Sequence, residues 1–135
     1  MNVKLIAHTK LSYEFEREIF DNVSEDFPYY NDRAAVALTA IRTCYSPGKP
    51  SEIVANEGEK YFGKSATDGE GGTDADRLFR HIFRSKHTST LEHLTYTFAV
   101  EGLSRAALAQ LTRHRVGFSF SVQSQRYVRF GSDDK

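Results

Sequence analysis

Thr73 and Asp76 stand in capping-box spacing, and Ala75, Leu78, Phe79, Ile82 and Phe83 recur at helical intervals around and beyond them. That stripe specifies an amphipathic helix, the clearest in the chain, which must bury one face. Soon afterwards Leu94, Tyr96, Phe98 and Val100 fall on one face of an alternating run, the signature of a strand over 94–101. Helix and strand signals therefore stand close together in this part of the chain.

Weaker signals fill in the rest. Residues 3–8 read as a short first strand, and 13–20 as a weak helix. Asn31 can cap a helix over about 33–42, which Cys44-Tyr45-Ser46-Pro47-Gly48-Lys49-Pro50 then breaks. A further short helix is expected over 51–60. Residues 67–72 form a Gly/Asp/Thr loop with no expected chemistry. Ser104, after Gly102, caps a helix reaching Thr112. Phe118, Phe120 and Val122 alternate with Ser119, Ser121 and Gln123, suggesting a strand, with a turn or short helix as alternatives. No repeat or linker divides the chain, so residues 1–135 are expected to form a single domain.

Composition narrows the function classes. A chain of 135 residues, 39% hydrophobic and 27% charged, holds one packed core and is not a disordered segment. Its single cysteine, Cys44, excludes an internal disulfide framework and suits a reducing cytoplasm. The start, Met1-Asn2-Val3-Lys4, lacks the apolar run of a signal peptide, and no stretch approaches a membrane span.

Charge is unevenly placed although it sums to zero. Five arginines (Arg105, Arg113, Arg115, Arg126 and Arg129) lie between Gly102 and Gly131 with no Asp or Glu. Arg113-His114-Arg115 leads into Ser119, Ser121, Gln123, Ser124, Gln125 and Arg126. Guanidinium forks and hydroxyls suit phosphate oxygens, so a polyanionic partner is expected. Three readings stay open. Arg113, Arg115, Ser124 and Arg126 could cradle a phosphate-bearing small ligand. The same arginines, with Phe118, Phe120, Tyr127 and Phe130 for stacking, could hold single-stranded nucleic acid. The weakest reading is a solvated basic face, with Arg113 merely opposing a helix dipole.

Elsewhere, Lys86-His87-Thr88-Ser89-Thr90-Leu91-Glu92-His93 joins the best helix to the best strand. It could offer His87 and Ser89 to a ligand; the plainer alternative has Thr90 capping a turn and His93 filling the core. His87, His93 and His114 match no zinc spacing, so no metal is expected. Cys44 reads as a small buried residue more readily than as a nucleophile.

Three ordered motifs resemble one family, the flavin-dependent thymidylate synthases. Arg113-His114-Arg115, eight residues and Ser124 resemble its signature, continued by Gln125-Arg126-Tyr127. Ala40-Ile41-Arg42-Thr43-Cys44-Tyr45-Ser46 and His87-Thr88-Ser89-Thr90-Leu91-Glu92-His93 resemble two upstream segments. The resemblance implies an α/β (α+β) fold class, a mixed sheet with flanking helices, and methylation of dUMP to dTMP with FAD, NADPH and 5,10-methylenetetrahydrofolate. It also implies homotetramers whose active sites are shared between subunits, no covalent nucleophile, and no membrane or nucleic-acid partner. By resemblance, His114, Arg115, His87, Ser89, Cys44 and Ser121 contact FAD. Gln110, Arg113, Gln123, Ser124, Gln125 and Arg126 contact the nucleotide. Val122 departs from the pattern where members carry Glu or Gln, and Gln123 offers an amide beside it. Members are also much longer, so the chain is expected to be an N-terminal portion lacking the C-terminal helical part.

Overall fold

The computed structural model describes residues 1–124, 126 and 127. In order the elements are β1 (Asn2–His8), α1 (Tyr13–Asn22), α2 (Asp32–Thr43), α3 (Ile53–Gly63), α4 (Asp74–Arg84), β2 (Tyr96–Glu101) and α5 (Arg105–Leu111). Short 3-10 turns occupy Pro50–Glu52, entering α3, and Thr88–His93, leaving α4. The expected mixture of helix and strand is present, with a two-stranded sheet among the described residues. Two compact units result: Val3–Ala99, and Met1–Asn2 with the chain from Val100 onward.

Local chemistry explains where the helices begin. Ser12, Asn31, Thr73 and Ser104 each sit in extended backbone and accept a hydrogen bond from an amide three residues on. For Asn31 the Oδ1 atom accepts from Ala34 N at 2.9 Å. The Thr73–Asp76 capping box closes in both directions, as its spacing predicts: Asp76 accepts from Thr73 N at 2.7 Å.

The core lies within Val3–Ala99, where α1, α2, α3 and α4 meet. Ile19, Leu38, Ile53, Val54, Phe62 and Ala75 are among its buried members, with Leu78 and Phe79 packed partly against them. Ile82 is buried as well, while Phe83 at the end of the stripe stays 69% exposed. Gly58, buried within α3, lets Phe27 approach so closely that a Cβ there would lie 2.5 Å from its ring. Phe27 is held in turn by an edge contact with Tyr30, which stacks on Phe62.

The 67–72 loop is tied down rather than idle. Arg80 donates from Nε and Nη2 to the two Asp68 oxygens at 2.9 and 2.8 Å, and to the Gly71 carbonyl at 3.1 Å. Arg84 pairs with Glu70 beside it. The outer face of α4 is therefore neutralised by its own preceding loop.

β1 and β2 run antiparallel, with Thr9 N donating to Thr95 O at 3.0 Å at one end and Asn2 reaching Glu101 at the other. Their apolar residues are largely open: Val3, Leu5, Ile6, Tyr96, Phe98 and Val100 are all exposed. Among the described residues no helix is long and apolar enough to cross a membrane.

Residues 118–124 form neither strand nor helix. The alternation there has no neighbouring strand to pair with among the described residues, and alternation without a partner does not make a sheet. Gly117, at φ 77°, turns the chain just before it. Phe118 and Phe120 nevertheless stack nearly parallel, with ring centroids 6.1 Å apart.

Candidate functional site

The residues expected to bind ligand fall into two clusters, one in each unit. The first follows α5. After Leu111 the backbone keeps winding: Arg113 N donates to Gln110 O and His114 N to Leu111 O. This overwinding brings Arg113 Nη1 to 3.1 Å from Gln110 Oε1, joining two residues expected to share the nucleotide. Leu103, Ala107, Gln110, Leu111, Arg113 and His114 line an open concavity of about 590 Å³. The His114 ring meets Phe118 edge-on at 6.4 Å. Such a surface offers a guanidinium and an imidazole above an apolar floor, which suits a flat, partly apolar anion.

Further along, Ser124 is half-buried and its Oγ accepts from Arg126 N at 3.2 Å, forming a short polar turn. Arg115, Ser121 and Gln123 are exposed. Gln125 lies outside the described residues, as do Arg129 and Phe130.

Arginine pairing differs between the units. Within Val3–Ala99, Arg17, Arg42, Arg77, Arg80 and Arg84 meet carboxylates, and Arg33 meets His8 instead. Among the described residues, Arg105, Arg113, Arg115 and Arg126 meet none. A guanidinium without a carboxylate beside it is the kind of group that attracts an anion.

The second cluster joins the end of α2 to the turn after α4. Tyr45 Oη lies 2.9 Å from His87 Nδ1, and the rings are nearly perpendicular at 5.9 Å. In the same unit Arg42 donates from Nε to Glu57 Oε2 at 2.6 Å and lies 5.7 Å from the centre of the Tyr61 ring. Burial pushes the Glu57 carboxyl up, but hydrogen bonds from Ser46 and Arg42, and the Arg42 charge, outweigh it and hold it below the usual range. Arg42 is correspondingly raised, chiefly by that hydrogen bond.

Two plainer expectations are corrected here. Cys44 is exposed, not a buried apolar filler, because it caps α2 at the surface with its amide on Ile41 O. His93 is exposed too, whereas Thr90 is the buried member of that turn and donates from Oγ1 to His87 O at 3.1 Å. Ser89 is exposed beside it.

The family model described as "Thymidylate synthase complementing protein", Thy1, matches residues 27–134, across both clusters. The chain belongs to the Thy1 family. Curated relatives carry the name flavin-dependent thymidylate synthase. The one from Nitratidesulfovibrio vulgaris is 60% identical over 95 residues, covering 70% of this chain and 35% of the relative. That from Wolinella succinogenes is 44% identical over 93 residues, covering 69% and 37%. That from Geobacter sulfurreducens is 42% identical over 100 residues, covering 74% and 37%. The chain thus spans little more than a third of the length of these relatives. No solved structure matches it.

Sequence reasoning placed Arg42 in a Thy1-like segment without finding its role. It placed Tyr45 in the same segment without its contact, and missed Glu57 altogether. Tyr45 and His87 are 42 residues apart, so no local spacing could announce their contact.

Proposed function

We propose that this chain serves in a flavin-dependent thymidylate synthase, which methylates dUMP to dTMP. The carbon donor would be 5,10-methylenetetrahydrofolate, and NADPH would reduce the FAD. The observation that carries the reading is the Thy1 match over both clusters, one of which holds four arginines that meet no carboxylate among the described residues. It supports a dinucleotide and nucleotide ligand over single-stranded nucleic acid.

The donor set fits the groups it would hold. Arg115 and His114 would take the FAD diphosphate, since a guanidinium grips two oxygens at once. Cys44, His87, Ser89 and Ser121 would complete the flavin contacts. Gln110 and Arg113, already joined, would reach the nucleotide. Gln123, Ser124, Gln125 and Arg126 would take its phosphate. When bound, the flavin supplies the hydride chemistry, and the protein's task is to bind, orient and exclude water. The Cys44 Sγ donates to the Ala40 carbonyl at 3.9 Å, and the proposed route asks no thiolate of it. We place the enzyme in the cytoplasm, as a homotetramer whose sites draw on more than one subunit.

Steady-state kinetics test the nucleotide assignment. Ser124→Ala removes one charge-assisted hydrogen bond, so the KM for dUMP should rise about 10-fold or more while that for NADPH holds. Equal effects on both substrates would contradict a phosphate-holding role.

A further inference from the structure

The contact between Tyr45 and His87 goes beyond the binding roles already assigned. Both backbones are fixed independently of it. Lys86 adopts φ 60°, and with it Lys86 N donates to Phe83 O and His87 N to Ile82 O, the paired bonds of a Schellman turn. Thr90 clasps the His87 carbonyl from the other side. Opposite, Tyr45 N and Ser46 N both donate to Arg42 O, at 2.9 and 2.6 Å. The two side chains then meet at 2.9 Å.

Either atom could donate, but a phenol O–H is a more acidic donor than an imidazole N–H, and the bare ring nitrogen is a stronger acceptor than a phenol oxygen, so donation from Tyr45 Oη to His87 Nδ1 is the favoured direction. Accepting at Nδ1 leaves the ring proton on Nε2. We infer that Tyr45 is a positioning residue that fixes His87 as the Nε2–H tautomer, so that His87 presents a hydrogen-bond donor to its ligand. The ligand atom it suits is an acceptor, such as a carbonyl oxygen or an unprotonated ring nitrogen of the isoalloxazine. This last step rests on the proposed flavin reading; the tautomer itself does not. Orientation of a ligand-binding histidine through its second nitrogen is a common device wherever the first must be aimed. Tyr45 remains 58% exposed, so water competes for the bond and its effect is modest.

Two measurements test the inference on the same protein. Nitrogen-15 spectra of histidine-labelled protein, with His87→Ala assigning the signal, should show a pyridine-like Nδ1 and a pyrrole-like Nε2. In Tyr45→Phe that signal should move toward a mixture of tautomers. A His87 carrying its proton on Nδ1, or a signal unmoved by Tyr45→Phe, would overturn the assignment. Separately, Tyr45→Phe should weaken FAD binding about 2- to 10-fold, the range for one net hydrogen bond. In a His87→Ala background the same change should cost nothing further. Full additivity of the two substitutions would sink the positioning role. Wild-type protein that takes up no FAD would count against the flavin reading alone, with the spectra still deciding the tautomer.

Discussion

Lys86 holds a left-handed backbone that glycine adopts freely, and it is the one non-glycine residue to do so among the described residues. An L-residue there costs roughly 1–2 kcal/mol, and strain of this kind persists where surrounding bonds over-determine it. Here the Schellman bonds do so, and their product is the placement of His87. Lys86→Gly should therefore stabilise the protein by about 0.5–1 kcal/mol in denaturant titration, glycine's extra unfolded freedom offsetting part of the gain. A loss of stability would show that Lys86 makes a compensating contact. Glu57 carries a second residue-scale consequence. Its folded pKa is depressed, so its contribution is complete above the unfolded value and disappears as pH falls through the folded one. Stability of the wild type should decline on acidification below about pH 4.5, and Glu57→Gln should flatten that part of the profile. An unchanged acid slope in the variant would mean that other carboxylates dominate.

Among the elements, α3 shows packing overriding propensity. A glycine inside a helix is normally worse than alanine by about 1 kcal/mol. At Gly58 the order should reverse, because the added methyl would meet Phe27, and Phe27 cannot retreat without disturbing Tyr30 and Phe62. Gly58→Ala should lower stability by about 1–3 kcal/mol, as overpacked cores do. A stabilised variant would mean that the Phe27–Tyr30–Phe62 stack repacks without strain. Elements of this kind were legible where the signal is local. The caps at Asn31, Thr73 and Ser104 each act through neighbours three residues away, so the sequence displays both partners. The anchoring of the 67–72 loop was not legible, because Asp68 and Glu70 find Arg80 and Arg84 only once α4 has formed. Residues 118–124 carry a strand pattern, but a strand needs a partner that the pattern cannot supply. In the candidate site, Arg113 and Gln110 lie three residues apart, at helix-neighbour spacing, and their pairing is local. Tyr45 with His87, and Arg42 with Glu57, join separate helices and turns and become visible only in three dimensions.

At the scale of the whole molecule, the zero net charge conceals a division of labour. Within Val3–Ala99, Glu57, Asp68, Glu70 and Asp74 pair with arginines and fasten loops and helix ends. The chain from Val100 onward keeps guanidiniums without such partners among the described residues, together with a stacked pair of phenylalanines. That contrast, joined to membership of the Thy1 family, is what makes a diphosphate-bearing flavin the expected ligand. Titration of the protein with FAD, followed by flavin fluorescence, tests this most directly. The account predicts saturable uptake that weakens with added salt, and a loss of about 10- to 100-fold in affinity for Arg115→Ala, the range for hydrogen bonds to a charged group. Uptake of equal strength in wild type and Arg115→Ala, indifferent to salt, would contradict it.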